Sequence, residues 1–333
     1  MAAVFLLPPP AAAQEEGYEF RLSNISLELL GGYARVRPDD FNEAATYEQA
    51  YLRYYYVTRF DYYRSLYGDN YRVTSDPADA ARFNLITGSS IYGARLRYQL
   101  SSTLGLSFGV QYLSRTQASN VAMNVDVVDA SRSGSGAGAA LSFQYQNPAF
   151  LLAVSAWSPQ LAAHFGWDIG RVLRLEVLIA GGPLYVECRT VSERRLASAD
   201  PEGFRTETVT AVEMKGEAKG LCGELGGRAG LRLAKFLTLF AEAGFTFRSA
   251  DEVKGPGSSR TAVSDSDGGD ESVTASWSGK WGFFRQRITS DWGQFQEYQL
   301  QNQNVAIYFG SGFKKFTIDL SGFQLKAGLG FRI

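Results

Sequence analysis

The 333-residue sequence predicts an all-β fold: an antiparallel up-and-down transmembrane β-barrel of eight strands with long extracellular loops. Three observations predict it: apolar and polar side chains alternate, short and long connections alternate, and 35 Gly, 22 Phe, 18 Tyr and 5 Trp suit turns and strands. The alternation is clearest from Ile91 to Gln111, where Ser101–Thr103 allows only a hairpin turn. Because successive side chains of a strand point to opposite faces, each strand of this pair has one apolar and one polar face.

The same alternation recurs in six further stretches, which brings the number of strands to eight. They are Ile25–Val36, Pro159–Asp168, Leu173–Tyr185, Leu221–Leu233, Leu237–Arg248 and Phe323–Arg332. The connections at 101–103, 169–172 and 234–236 are short, whereas those at 37–90, 115–150, 190–220 and 249–318 are long. Short turns at one end and long loops at the other are typical of outer-membrane barrels, and an even strand count places both chain ends on the periplasmic side.

An aromatic-rich stretch in the last long connection leaves the strand count open. It extends the barrel wall, marks a partner-binding patch, or contains two further strands that raise the count to ten. Its aromatic residues are Trp277, Trp281, Phe283, Phe284, Trp292 and Phe295.

The charges of the chain are nearly balanced, with 33 Lys and Arg against 34 Asp and Glu, which indicates no nucleic-acid partner. On the strands these charges share the polar face with glycines, a pattern typical of a narrow lumen filled by paired charges, because unpaired buried charges are costly. The predicted lumen charge network consists of Glu28, Arg95, Arg97, Asp168, Arg174, Glu176, Glu224, Arg228, Arg232, Glu242 and Lys326.

Aromatic residues on the apolar face lie near the strand ends, where a ring with a polar atom suits a membrane interface. This predicted aromatic girdle favours a membrane barrel over a soluble lipocalin-like periplasmic binder, whose apolar residues would point inward. Its members are Tyr33, Tyr92, Tyr112, Trp157, Tyr185 and Phe247 near the long loops, and Tyr98, Trp167 and Phe331 near the short turns.

The first thirteen residues are typical of an export signal whose beginning is truncated. An apolar run at 2–7, prolines at 8–10 and alanines at 11–13 precede Gln14, so residues 1–13 are interpreted as a signal peptide and 14–333 as one barrel domain.

The eight alternating strands, this start and the closing segment Ser321–Ile333 resemble the small bacterial outer-membrane barrels of the OmpA/OmpX/OmpW type. The resemblance implies a location in the bacterial outer membrane, with membrane lipid, lipopolysaccharide and the barrel-assembly machinery as partners. The last strand of such proteins usually ends on an aromatic residue, whereas this chain ends Phe331-Arg332-Ile333.

The only two cysteines fall at the predicted end of the fifth strand and the start of the sixth. Since these strand ends are neighbours in an antiparallel pair and the exported compartment is oxidising, we expect a Cys188–Cys222 disulfide, with two reduced thiols as the alternative. Two cysteines make no credible metal site, and the sequence indicates no cofactor.

Tyrosines at three- and four-residue steps in the first long loop are compatible with one helical face. They form either a binding surface for an extracellular glycan or protein, or a helix that caps the barrel. These are Tyr47, Tyr51, Tyr54, Tyr55 and Tyr62. The acidic residues 264–271 lack the spacing of a calcium loop and are interpreted as a solvated, disordered loop.

The single histidine, His164, shares its polar face with Asp168 and is interpreted as a hydrogen-bond partner in the lumen, so the sequence predicts no catalytic residues and no enzymatic activity. The predicted function is that of a structural or surface-interaction protein acting through its loops. The alternatives are a narrow pore or conduit for small hydrophobic molecules and the soluble periplasmic binder.

Overall fold

A computed structural model of the chain describes residues 24–36, 38, 42, 45, 71–75, 83–129, 139–199, 204–290, 293–302 and 313–333. Within these ranges thirteen antiparallel strands form one sheet, and no helix is long and apolar enough to span a membrane. The strands are β1 Ile25–Ala34, β2 Tyr71–Ser75, β3 Ser89–Gln99, β4 Leu104–Asp129, β5 Ala139–Ile169, β6 Leu173–Ala199, β7 Arg205–Arg232, β8 Leu237–Asp265, β9 Asp270–Ser290, β10 Gly293–Asn302, β11 Phe313–Lys315, β12 Thr317–Asp319 and β13 Gly322–Arg332.

Eight of the strands close into a ring, in the order β1, β3, β4, β5, β6, β7, β8, β13 and back to β1. The closing pair runs from Ser26 opposite Arg332 to Ala34 opposite Gln324. The predicted eight-stranded barrel is therefore confirmed. Strand β9 pairs with β8 and β10 pairs with β9, both outside the ring, so they extend the sheet and do not raise the barrel to ten strands.

The ring strands are longer than the sequence predicted, and the predicted loop boundaries at 115–150, 190–220 and 249–318 are wrong. Strand β4 continues to Asp129, and only residues 200–204 join β6 to β7. The acidic segment 264–271 is a hairpin turn between β8 and β9, not a disordered loop. Its Asp265 carboxylate accepts the backbone N–H groups of Asp267 and Gly269, at 3.1 and 2.9 Å.

The barrel has two ends, which we call the turn end and the loop end. The turn end carries the turns at 100–103, 170–172 and 233–236 together with Ile25 and Ile333, and the loop end carries the long strand extensions. Residues from Trp157 to Ile169 on β5 place apolar side chains outside and polar ones inside. Toward the loop end of the same strand the pattern reverses: Leu152 and Val154 are buried inside, whereas Ser155 lies on the outer face.

The reversal produces a buried apolar core inside the loop end of the barrel. Trp281 and Phe316 meet edge to face, with ring centres 5.8 Å apart. Asn42 fixes the segment before β3 by two 2.8 Å hydrogen bonds with the backbone N–H and C=O of Ile86. Such a core is expected where water surrounds the wall, because apolar side chains then leave the outer face. Its largest members are Phe83, Ile86, Leu113, Phe150, Leu152, Val154, Leu184, Val186, Met214, Val253, Trp281, Phe316, Ile318 and Leu320.

Candidate functional site

Polar side chains from all eight ring strands meet inside the turn half of the barrel. They lie there because the inward-facing positions of each strand are two residues apart, so one polar position in two collects on the axis. The members of this lumen cluster are Glu28, Arg95, Arg97, Gln111, His164, Arg174, Glu176, Glu224, Arg228, Glu242, Arg248, Gln324 and Lys326.

Glu28 on β1 lies at the centre of the lumen cluster. It accepts two hydrogen bonds from Arg228, at 2.7 and 2.8 Å, and one from Arg95 Nε at 2.5 Å. Arg95 also donates to Glu242, whose other contacts are Arg228 at 3.6 Å and Lys326 at 3.2 Å. The bidentate fork of Arg228 is the geometry in which guanidinium binds carboxylate most strongly.

Two further carboxylates extend the cluster in opposite directions along the axis. Toward the turn end, Glu176 is bound by Arg97 Nη1 at 2.7 Å and Arg174 Nε at 2.5 Å. Toward the loop end, Glu224 is bound by Lys326 Nζ at 2.5 Å and by Gln111 Nε2 at 3.0 Å. Each of the four buried glutamates therefore has a cation beside it.

Sequence reasoning missed several members of this cluster. Arg248 Nη2 donates to Gln111 at 2.8 Å and to Gln324 at 3.2 Å, and all three side chains are buried. Their inward-facing positions were the available signal. Phe240, a buried aromatic residue at an inward-facing position, lies with its ring centre 3.9 Å from Arg228 Cζ and 5.5 Å from Arg95 Cζ.

Two members of the predicted lumen charge network lie outside the cluster. The Asp168 side chain is 46% exposed at the turn end, where it contacts Arg174 Nη1 at 3.2 Å. Arg232 is exposed and lines a cavity at the same end. Both fall at the last inward position of their strands, where the wall ends and solvent begins. The other nine predicted residues meet inside the barrel.

His164 lies between a serine and a glutamate. Its Nε2 is 2.8 Å from Ser107 Oγ, and its Nδ1 is 3.8 Å from Glu176 Oε2. Serine, histidine and carboxylate in this order form the nucleophilic triad of many hydrolases. In this structure Ser107 and His164 are buried, and the cavity beside Ser107 measures about 10 Å³, which holds no acyl substrate. Among the described residues, no group of His, Cys, Asp and Glu side chains could hold a metal ion.

Four residues of the predicted aromatic girdle form a continuous row on the outer face. Tyr92 lies opposite Tyr112, Tyr112 opposite Trp157, and Trp157 opposite Tyr185. The rings of Trp157 and Tyr185 stack at 4.2 Å, and Lys219 Nζ lies 5.8 Å from the Tyr185 ring centre. Also on the outer face are Tyr33 and Phe247 toward the loop end, and Tyr98, Trp167 and Phe331 toward the turn end.

The predicted Cys188–Cys222 disulfide is wrong, since both cysteines are free and buried. Cys188 lies opposite Gly216 and Cys222 opposite Gly182, so the two are six residues apart along the β6–β7 ladder. At about 3.3 Å per residue this is roughly 20 Å, well beyond the reach of a disulfide. Burial raises the pKa of the Cys188 thiol, which lies above the aromatic row.

Several predicted residues lie outside the described part of the chain. These are the export-like residues 1–13, the tyrosines Tyr47, Tyr51, Tyr54, Tyr55 and Tyr62, and Trp292. Of the aromatic-rich stretch, Trp277 packs against the apolar core and Trp281 is fully buried in it, so these two belong to the wall and its core.

Charged side chains replace apolar ones on the outer face just above the aromatic row. They line a groove of about 790 Å³ that crosses β4 to β9. Glu213 beside it contacts Arg189 Nη2 at 2.9 Å and Lys215 Nζ at 3.3 Å. Burial alone raises the pKa of Glu213, but these two cations bring the net pKa below its usual value. The charged residues that line the groove are Glu187, Arg189, Lys215, Glu217 and Lys254.

No family model matches this chain, and no curated protein matches it in sequence. Two similar solved structures are the outer membrane protease OmpT from Escherichia coli and a major outer membrane protein from Thermus thermophilus. The first has 11% identity and a TM-score of 0.31, with 96% of this chain and 100% of that chain covered. The second has 12% identity and a TM-score of 0.29, with 93% and 99% covered.

One expectation from the sequence is corrected by these comparisons. The prediction that the chain has no enzymatic activity is contradicted, because a protease is among the structures similar to it. A match with a TM-score of 0.31 does not in turn assign proteolysis to this chain.

The barrel wall itself indicates the surroundings of the chain. Large apolar side chains cover its outer face, with Leu161 69% and Leu221 75% exposed, and a closed ring leaves no unpaired strand edge in lipid. The soluble lipocalin-like alternative is wrong, since its apolar faces would point inward. The chain is an integral outer-membrane β-barrel.

Proposed function

We propose that the chain is a non-conducting outer-membrane anchor that presents a rigid, polar β-sheet surface outside the cell. The observation that carries the proposal is the filling of the barrel interior at two levels. The lumen cluster occupies the turn half, and the apolar core occupies the loop half. Packed side chains at both levels, among the described residues, support a barrel without the continuous passage that a pore or a conduit for hydrophobic molecules needs.

The strand extensions support the second half of this proposal. Strand β6 continues fourteen residues past Tyr185 to Ala199, and β8 continues fourteen past Asp251 to Asp265. At about 3.3 Å per residue, each extension spans roughly 45 Å along the strand. Their outer faces carry charged side chains such as Glu187 and Arg189, which suit contact with water and polar partners.

Single-channel recording in planar lipid bilayers tests the anchor. The purified chain should insert without conductance steps, and a general porin measured in the same bilayers serves as the positive control. Reproducible steps from the wild-type protein would overturn the non-conducting assignment.

Lipopolysaccharide is the partner that the position of the outer groove favours. The groove lies directly above the aromatic row. Rows of Tyr and Trp favour the level at which lipid headgroups meet water, which supports a groove that reaches the headgroups. Arg189, Lys215 and Lys219 present cations there that suit the phosphate groups of lipopolysaccharide. Charge reversal by Lys215→Glu and Lys219→Glu should weaken binding of purified lipopolysaccharide at least fivefold, whereas Arg205→Glu at the strand tip should not. Equal affinity in the wild type, the Lys215→Glu/Lys219→Glu variant and the Arg205→Glu variant would refute lipopolysaccharide as the partner.

A further inference from the structure

A cavity of about 150 Å³ opens inside the barrel at the turn end, below the lumen cluster. Residues from β1, β3, β6, β7, β8 and β13 and from the β7–β8 turn line it, so it lies on the barrel axis and not on the lipid-facing surface. Its cations are Arg97, Arg174, Arg228, Arg232, Lys235 and Arg332.

Positive charge exceeds negative charge in this cavity. Six cations face two carboxylates, Glu28 and Glu176, which leaves a formal excess of four positive charges. Both carboxylates are already occupied, Glu28 by Arg228 and Arg95, and Glu176 by Arg97 and Arg174. Arg174 also contacts Asp168 and Arg228 also contacts Glu242, so among the described residues the cations of the cavity without a carboxylate beside them include Arg232 and Lys235.

Two of its cationic groups, Arg232 and Lys235, are available for a further acceptor. Arg232 and Lys235 are exposed and form no salt bridge with any residue that the structure describes. Two like charges held at one cavity repel each other, so an anion between Arg232 and Lys235 would lower the free energy of the site.

We propose that this cavity, which we call the basic vestibule, binds a phosphate group from the periplasmic side. Guanidinium forks match phosphate oxygens in pairs, and a cleft of one charge sign with low-dielectric walls concentrates oppositely charged ligands. The volume holds one phosphate-sized anion with a few waters, which excludes a bulky polyanion from the interior. The phosphate comes either from solution or from the headgroup of a phospholipid at the periplasmic rim.

Isothermal titration calorimetry of the full chain in an uncharged detergent tests the vestibule. Inorganic phosphate is titrated at constant ionic strength, so that general screening stays the same. The test variant is Arg232→Gln with Lys235→Gln, which removes two exposed cations outside the lumen cluster. The matched control, Arg205→Gln with Arg260→Gln, removes two exposed cations at the opposite end of the barrel. Heat-dependent gel migration shows that each variant has folded.

The proposal expects binding to the wild type that falls at least tenfold in the vestibule variant and not in the control. A second arm uses micelles doped with phosphatidic acid or with phosphatidylcholine. A response to phosphatidic acid alone, lost in the vestibule variant, identifies the lipid headgroup as the source. Both arms are repeated with Glu15, Glu16 and Glu19 changed to Gln, which removes three acidic residues that precede Asn24 in the sequence. Binding in neither arm and neither background, or equal binding by vestibule and control variants, overturns the proposal.

Discussion

The Arg228 guanidinium carbon lies 3.9 Å from the centre of the Phe240 ring, while its two terminal nitrogens donate to Glu28. A single aromatic ring therefore supports the central ion pair of the barrel from one side. The ring attracts the cation and excludes water from it, which strengthens the pair in a low-dielectric interior.

Phe240→Leu should destabilise the barrel by about 1–2 kcal/mol, because it removes the cation–π contact and leaves a small cavity. Urea unfolding in detergent, followed by tryptophan fluorescence, measures the loss. Phe247→Leu is the matched control, since that ring is 64% exposed on the outer face. Equal losses in the two variants would show that Phe240 contributes only apolar volume.

Lys326 and Glu224 provide an asymmetric test of the lumen cluster. Lys326→Met leaves Glu224 and Glu242 without a shared cation and should cost about 3–5 kcal/mol. Glu224→Gln should cost less, because Lys326 keeps Glu242 at 3.2 Å. The double variant should lose less stability than the sum of the two single losses, and a double-mutant cycle measures this difference. Strict additivity would contradict direct pairing.

Two neighbouring glycines on β6 differ in the space around them. A Cβ on Gly182 would lie 1.9 Å from the Pro159 carbonyl oxygen, whereas one on Gly181 would meet nothing closer than 3.5 Å. Gly182→Ala should therefore force β5 and β6 apart and lower the temperature at which the folded gel band disappears. Gly181→Ala should leave it nearly unchanged. A reversed order would show that the strands do not approach this closely at Pro159.

Cys188 and Cys222 should react with maleimide only after unfolding, with and without prior reductant. Burial raises the pKa of Cys188 in the folded chain, so the buried neutral thiol contributes fully to folding stability below the ordinary thiol pKa. This contribution is lost as pH rises from the ordinary thiol pKa through the higher folded pKa. Labelling should therefore accelerate at alkaline pH. Cys188→Ala isolates the reaction of Cys222. A reductant-dependent gain of two labels would reveal the disulfide that the strand register excludes.

The carboxyl of Glu213 should titrate below its usual range. Its pair with Arg189 and Lys215 stabilises the fold above the unfolded pKa of glutamate, and this contribution is lost as pH falls through the lower folded pKa. Lys215→Ala should raise the pKa of Glu213, measured by carbon NMR of labelled glutamate. Lys280→Ala, which removes a partner of Glu252, should not change it.

The sequence predicted the ring because lipid-facing strands alternate strongly, but it did not predict the strand extensions. Alternation continues past Tyr185, with Val186 and Cys188 inside and Glu187 and Arg189 outside. The two-residue period is unchanged, but the apolar side chains now lie on the inner face and the polar ones on the outer face, since water replaces lipid around the wall. The pattern of side chains does not specify the surrounding solvent, so the predicted strands end too early. The predicted Cys188–Cys222 disulfide is wrong for the same reason, because it depended on those strand ends.

The lumen cluster was predicted as a set of inward-facing charges but not as a set of pairs. Glu28 and Arg228 are 200 positions apart in sequence, and only the strand order brings them together. Phe240 was missed because alternation assigns an apolar residue to the lipid face, whereas this ring lies at an inward position.

The change from polar to apolar interior has a consequence for the permeability of the cell envelope. On β4 it falls between Gln111 and Leu113, two successive inward positions. In the proposed non-conducting barrel, a solute would meet two barriers in series among the described residues, one of ion pairs and one of packed apolar side chains. Substitutions that loosen the first leave the second intact, so such variants should be producible in living cells without making the outer membrane leak.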